Sequence, residues 1–486
     1  MFIDSNALTK AISRISIIAS LDNKQPGILF DIADDHIDVF YNSNYKAIIN
    51  TVDAQVGPDE VHGKVIFDYK RLTDTMNYCK SSGRIIVGNL EMVLGTNPDG
   101  SGTAKINVVK KIARSDGVNS TEEVVSSNTY DLTWTPIEKA SVIQKTLKNE
   151  PCEDMFNEAD DSLWDVSEFN RLISSACNGD AKILYFSSRH NGVFTVNDNN
   201  TVYVKSSNKV NRTIQFQTKD IKAIANVLNT LDAEDIHINT IFNDMNQPFA
   251  SLFFTSDHKL SIFMTIAHVQ NIHMQSISRF MGTQYKTYNF NILTEVLVDT
   301  LKAIINLSVS ADGEIKFEKD VNGGVIATLT AENTGASINN VYRITCDSFN
   351  TVEDIQPGST IITIKPNMKM LLDIVSNNKD DHTAFDIGVD ANGSNANTRI
   401  GFIDVAESLE VLKEMIVEDS NKSGGMVIDN DSMSVFDNVD ATAIKSKDDV
   451  DEATLSNFID QLTPQDKLDM RDKYLKTCYF STINKV

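Results

Sequence analysis

The sequence is short of every feature that marks a secreted, membrane-bound or catalytic protein. Its five cysteines, Cys79, Cys152, Cys177, Cys346 and Cys478, are scattered, odd in number and free of Cys-x-x-Cys spacing. That excludes a disulfide framework and points to reduced thiols in a cytosolic compartment. No apolar run approaches the roughly 18 residues of a membrane span, and no charged-then-apolar leader opens the chain. The eight histidines (36, 62, 190, 237, 258, 268, 273 and 382) include no i,i+4 pair, so no metal centre is expected. Phosphate-binding glycine loops and nucleophile elbows are missing. Asp429 and Asp431 begin like a calcium loop, but the glycine needed at its sixth position is Ser434. The sequence therefore calls for no cofactor, no metal and no catalysis. Bases are scarce too: 44 Lys and Arg stand against 67 Asp and Glu, a net charge of −23 over 486 residues. A chain so acidic is not coated with nucleic acid, and the placement of its few bases becomes the informative question.

What the chain does have is a repeated pattern. The clearest copy runs from Arg212 to Val269. An alternating strand-like run at 212–217 leads into a helix at about 218–231, and three further strand-like runs follow at 235–241, 248–255 and 259–267. Ile221, Ile224, Ala225, Leu228 and Leu231 share one side of the helix. Lys219, Lys222, Asn226 and Asn229 share the other, with Asp220 the one acid. A sheet is expected on the apolar side and something wet and anionic on the basic side. The same order recurs. A first helix at 5–20, with Ser5 as its expected N-cap, carries Lys10 and Arg14 opposite its apolar side. A second at 68–80 carries Lys70 and Arg71, and a third near 165–176 carries Arg171. The fifth helix, at about 291–306, departs from the pattern: Lys302 shares its polar side with Glu295 and Asp299. In the sixth copy Pro366 suits the first turn of the helix, with Lys365 and Lys369 as its bases. The period is about 50 to 60 residues, six times, grouped in pairs.

Two stretches break the pattern. Residues 112–162 are rich in Ser, Asn, Asp and Glu and read as an insertion or linker with weak strands near 130–134 and 139–146. Residues 408–486 read as an acidic linker followed by a helical element, kinked at Pro464. The expected organisation is a first domain over 1–111, the 112–162 insertion, a second domain over 163–268, a linker over 269–287, a third domain over 288–407, and then this tail.

Six helix-plus-sheet units in three domains, with bare basic helix faces and no catalytic motif, resemble the DNA sliding clamps. The three-domain type, the bacterial β subunit, has the nearest layout. The resemblance covers residues 1 to about 407, and the acidic composition, divergence and tail fit a phage or viral clamp better than a bacterial one. It implies an α+β clamp fold in which two three-domain chains close a ring of twelve helices around duplex DNA. It implies sequence-independent DNA contact through Lys10, Arg14, Lys70, Arg71, Arg171, Lys219, Lys222, Lys302 and Lys369, since dispersed phosphate-directed bases position without reading sequence. It implies a DNA polymerase and a clamp loader as partners, a homodimer, no membrane, and a cytoplasmic location, the host cytoplasm for a phage. The family's partner peptides dock in an apolar cleft between the second and third domains, which the order of elements puts near Val202, Ile236, Phe402 and Val405. The tail helix with Phe458, Ile459 and Leu462 needs a groove to cover it, and its tether lets it reach back to that cleft. Two other classes share the pattern: a non-ring DNA-binding processivity or transcription factor on the same fold, and a virion structural protein whose basic faces are incidental.

Overall fold

The structure, a computed structural model, describes residues 1–136, 161–267, 285–307, 313–331, 341–350, 355–376, 381–390, 398–403 and 475–481. Short gaps fall at 24–26, 44, 99, 116–119, 178–180, 197–199, 232, 244 and 246, and nine isolated positions between 413 and 463 are also described. The architecture is α+β, with six helices among the described residues, interleaved with antiparallel strands. The first repeat is β1 (Phe2–Asp4), α1 (Ser5–Ala19), β2 (Ile28–Ile32), β3 (His36–Asn42) and β4 (Lys46–Gln55). The second is β5 (Gly63–Phe67), α2 (Tyr69–Tyr78), β6 (Ile85–Val87), β7 (Asn89–Thr96), β8 (Gly102–Ser115) and β9 (Ser120–Pro136). The third is β10 (Ser162–Asp165), α3 (Val166–Ala176), β11 (Ile183–Ser187), β12 (Gly192–Val196) and β13 (Asn200–Lys205). The fourth is β14 (Ile214–Gln217), α4 (Thr218–Leu228), β15 (Asp235–Phe242), β16 (Pro248–Phe254) and β17 (Leu260–Thr265). The fifth is β18 (Tyr285–Leu293), α5 (Thr294–Leu307), β19 (Gly313–Lys319), β20 (Val325–Ala331), β21 (Val341–Cys346) and β22 (Ser348–Asn350). The sixth is β23 (Thr360–Ile364), α6 (Met368–Ser376), β24 (His382–Asp390), β25 (Thr398–Ile403) and β26 (Leu475–Ser481).

Four of the repeats share a local joint, whereas Gln217 ahead of α4 makes no side-chain cap. A short strand runs straight into a helix through a side chain that caps the helix's orphan N–H groups. Asp4 accepts from the Ala7 N–H at 2.6 Å, Asp68 from Arg71 at 2.9 Å, Asp165 from Glu168 at 2.8 Å, and Asn367 from Met370 at 3.0 Å. The first cap is thus Asp4 and not Ser5, whose hydroxyl instead donates to the Cys79 carbonyl at 2.9 Å.

The chain forms two compact units. The first holds residues 1–174, 182–191 and 207–269. Here β4 pairs antiparallel with β17, Ile48 opposite Ile262 and Asn50 opposite Leu260, so repeats one and four share one sheet. Leu29, Phe40, Ala47 and Ile49 from one side of this seam and Ile241, Ala250, Leu252, Phe254 and Phe263 from the other form one buried cluster. Behind it Phe169, Phe186, Phe216 and Phe253 pack with Trp164 at ring separations of 5.8 to 6.4 Å. Each such ring, fully buried, contributes on the order of 1.5–3 kcal/mol.

A buried ionic cluster sits at the same seam. Lys46, in β4, is 6% exposed. Its Nζ lies 3.2 Å from Asp22 Oδ1 and 3.6 Å from Asp220 Oδ1 in the first turn of α4. Tyr41 Oη donates to Asp22 at 2.9 Å. Burial pushes the Asp220 carboxyl up, despite Lys46 and Lys219 nearby. Burial acts on Asp22 in the same sense, but hydrogen bonds from Tyr41, Ser43 and Lys46 outweigh it and hold that carboxyl down. One cation therefore serves two carboxylates, Asp220 buried and Asp22 half-buried.

The second unit holds residues 175–181, 192–206 and 270–486. One sheet runs β12, β13, β26, β25, β24, β18, β22, and a second runs β21, β20, β19, β23. Phe290 and Phe317 stack at 4.0 Å. The notable strand is β26. It lies between β13 and β25, with Tyr479 opposite both Val202 and Ile400 and Leu475 opposite Ile403. The sixth repeat takes its last strand from residues Leu475–Ser481. The segment 404–474 therefore joins two adjacent strands of one sheet and is held at both ends, not free to swing on a one-ended tether. Phe458 is buried, while Ile459 and Leu462 lie outside the described residues.

Two other stretches differ from the sequence reading. Residues 112–136, expected within an insertion, belong to the β8–β9 hairpin, which pairs from Gly102 opposite Trp134 to Ser115 opposite Ser120. Apolar alternation is missing there because residues 122–129 bury neither face, with Val124 and Val125 themselves exposed. Residues 285–287, expected in a linker, open β18.

Lys46→Met leaves the buried Asp220 and the half-buried Asp22 without their shared counter-charge and should cost about 3–5 kcal/mol in urea unfolding at pH 7. Asp220→Asn should leave the protein at least as stable as the parent at pH 7. A carboxyl whose folded pKa is raised adds stability only below its unfolded value and loses it as pH rises. A Lys46→Met protein as stable as the parent would show that the cluster carries no weight. Ending the chain at 470 removes a strand with neighbours on both sides, so soluble folded protein should be lost. Replacing 404–474 by a short turn between Ile403 and Leu475 should keep the native circular dichroism spectrum.

Candidate nucleic-acid interface

In the first unit α1 lies beside both α2 and α4. Asn170 of α3 donates to Asn229 at the end of α4 at 2.7 Å, which places α3 beside α4. Leu8, Ala11, Ile12 and Ile15 bury one side of α1, and Ile221, Ile224, Val227 and Leu228 one side of α4. The opposite sides are exposed, and each forms a stripe at helical spacing. On α1 it contains Asn6 and Lys10, and on α4 Lys219, Lys222, Asn226 and Asn229. Neither stripe holds an acid, because Asp220 is turned inward to Lys46. On α2 Lys70 and Arg71 are exposed together with Asp74 and Asn77. Such faces can meet phosphates without reading bases, provided the side chains stay mobile.

The structure separates the nine expected DNA-contact residues into groups. Lys10, Lys70, Arg71, Lys219, Lys222 and Lys369 are exposed on their helices. Lys70, Arg71, Lys219 and Lys222 close no salt bridge among the described residues. Arg14 is half-buried and committed elsewhere. Its Nε and Nη2 donate to Thr230 Oγ1 at 2.9 Å and the Thr230 carbonyl at 2.8 Å, and its Nη1 to Asn50 Oδ1 at 3.0 Å. It thus satisfies a carbonyl just past the C-terminus of α4, where a cation is favoured, and ties two helices to the seam strand. Arg171 is held by Glu168 at 2.6 and 2.9 Å. Glu168 also accepts from the Ser207 N–H at 2.7 Å, so this fork anchors a loop. Lys302 Nζ lies 3.8 Å from Asp299. The seam residues that periodicity missed are Lys46 and Asn50, whose partners are remote in sequence.

The expected partner-docking residues fall in different elements. Val202 and Ile236 are fully buried. Val202 lies in β13 in the second unit, and Ile236 lies in β15 of the first unit, opposite Trp164. Phe402 is in β25, opposite Thr477, with its side chain outside the described residues, and Val405 lies outside them altogether. Alternating apolar residues mark strand core and docking groove alike, which is why pattern alone could not tell them apart.

A cleft of about 720 Å³ opens between the N-terminal half of α1, β4, the segment after α4 and the β16–β17 turn. Lys10, Arg14 and Lys259 line it with Asp4, Asp53, Glu234, Asp235 and Asp257. Lys259 is bound to Asp53 at 2.9 Å, and that contact raises its pKa. The cleft lining thus holds five acids and three bases beside the Asn6 and Lys10 of the α1 stripe. Among the described residues no group of three or more His, Cys, Asp or Glu could hold a metal, and no helix is long and apolar enough to cross a membrane.

This architecture is that of the DNA sliding clamps. The chain is similar to the DNA polymerase III beta subunit of Thermotoga maritima, with a TM-score of 0.55 at 13% identity over 84% of this chain and 96% of that one. It is similar to the DNA polymerase sliding clamp of Caulobacter crescentus, with 0.52 at 14% over 80% and 95%, and to the DNA polymerase III subunit beta of Pseudomonas aeruginosa, with 0.55 at 10% over 82% and 95%. No protein-family model matches the chain, and no curated protein matches its sequence.

Arg14→Ala removes three hydrogen bonds from a charged donor and should cost about 1.5–3 kcal/mol of stability, read by thermal unfolding. Arg14→Lys should recover only part of it, because one ammonium cannot reproduce the fork. Equal stability of the alanine variant and the parent would return Arg14 to the exposed stripe.

Proposed function

We propose that the protein is a sliding clamp, a non-catalytic processivity factor that encircles duplex DNA as a homodimer and tethers a DNA polymerase. The observation that carries this reading is the pair of adjacent helices, α1 and α4, whose outward stripes hold lysines and amides but no acid in a chain of net charge −23. Lysines placed this way bind phosphates through counterion release and leave sequence unread. The acidic remainder discourages DNA from adhering elsewhere.

Open strand edges support assembly. Among the described residues β21 pairs on one side only, with β20, and Val341 on it is 52% exposed. From Ser120 to Thr133, β9 pairs with β8 alone. Unpaired edges of this kind are completed by another chain or must be shielded. The six helices of the described repeats, set against the twelve of a clamp ring, call for two chains. A polymerase and a loader would dock on this ring. The acidic composition and the 404–474 segment favour a phage or viral source.

Native mass spectrometry should give a dimer of about twice 53.9 kDa. A strict monomer at micromolar concentration favours the non-ring DNA-binding factor instead. Replacing Lys10, Lys219 and Lys222 together with Ala should leave that dimer intact and shorten the products of polymerase extension. Unchanged product length would remove these helices from the DNA path.

A further inference from the structure

The six helices do not carry the same charge. Helices α1 to α4 hold seven bases and three acids, net +4, and one of those acids, Asp220, is buried against Lys46. Helices α5 and α6 hold two bases and three acids, net −1. The contrast is sharpest between α4 and α5. The exposed stripe of α4 reads Lys219, Lys222, Asn226, Asn229, and that of α5 reads Glu295, Asp299, Lys302, Asn306. The one base of α5 has its own counter-ion, Asp299, at 3.8 Å. Beside the stripe Val296 is 41% exposed, a side chain with nothing to offer a phosphate. On α6 Lys369 is the one exposed base, with Asp373 half-buried on the next turn.

From this asymmetry we infer that the phosphodiester backbone is gripped by the helices of repeats one to four alone, and that Glu295 and Asp299 keep α5 from contributing. The inference rests on the clamp reading above and adds to it which part of the chain holds DNA. The physical reason is the sign of the local field. A phosphate close to α4 meets two ammonium groups, which displace the counterions condensed on the DNA. A phosphate close to α5 meets two carboxylates first, and the ammonium behind them is already neutralised. A clamp gripping through one arc holds DNA with fewer contacts, which lowers the salt dependence of binding and the friction of sliding together.

The test is the salt dependence of binding to a fluorescein-labelled linear duplex of mixed sequence, read by anisotropy on variants first shown to be dimers by native mass. Lys10→Ala, Lys219→Ala and Lys222→Ala combined should make the slope of log Kobs against log salt shallower by up to about 0.9 per lysine. Lys302→Ala with Lys369→Ala should leave slope and affinity unchanged. Glu295→Lys with Asp299→Lys should tighten binding and steepen the slope. The inference is overturned if the Lys302/Lys369 variant loses as much as the first, or if the Glu295/Asp299 variant gains nothing. If the first variant binds like the parent, it is the clamp reading of these helices that fails, and this inference with it.

Discussion

The main-chain pairing between β4 and β17 is the constraint on which the first unit depends. Each repeat ends in a strand whose outer edge presents unpaired N–H and C=O groups, and these must be met by another strand or by water. β4 and β17 meet each other's need, from Lys46 opposite Met264 to Asn50 opposite Leu260. Once that register is set, α1 and α4 have to lie side by side, because each is joined to its own sheet by an apolar face. The polar ties at the seam work to the same end. Lys46 links β4 to the first turn of α4, and Arg14 links α1 to the carbonyl just past its last turn. Two exposed lysine stripes follow from buried bonds that touch no ligand. In the second unit β26 plays the corresponding part between β13 and β25.

Charge is distributed by the same logic. The chain carries 67 acids, and 18 of them fall in the segment 404–474, against seven bases there. The net negative charge is thus concentrated outside the helices that present lysine. Bases that are structural, namely Lys46, Arg14 and Arg171, are bound to fixed partners and have little freedom to follow a moving phosphate. Those left exposed, Lys219 and Lys222 above all, keep their rotamer freedom, as a surface that must release each phosphate as easily as it takes it requires.

Much of this is legible in the sequence because a helix packed on a sheet needs a 3.6-residue apolar period and its strands a two-residue one. Leu8, Ala11, Ile12 and Ile15 in α1, or Ile221, Ile224 and Leu228 in α4, show the period without help from other copies. What was hidden depends on partners remote in the chain. Arg14 reads as a surface base because Thr230 is 216 residues away. Lys46 reads as the edge of an alternating strand, since Asp22 and Asp220 become its neighbours only after folding. β26 is separated by 71 residues from the strand it pairs with, so the sixth copy looked one strand short. Arg171 was within reach of inspection, as Glu168 three residues earlier shares its helix face. The docking residues Val202 and Ile236 were misleading for the opposite reason: their apolar alternation is real, and it is spent on core.

The central claim is topological: the protein holds DNA by surrounding it. The most direct measurement is the lifetime of the protein on a closed circular duplex before and after a single restriction cut, at a salt concentration that suppresses simple electrostatic binding. A ring stays on the circle for many minutes and runs off the ends once the circle is opened. Equal lifetimes on the circular and linear forms would contradict encirclement and leave surface binding as the means by which this chain holds DNA.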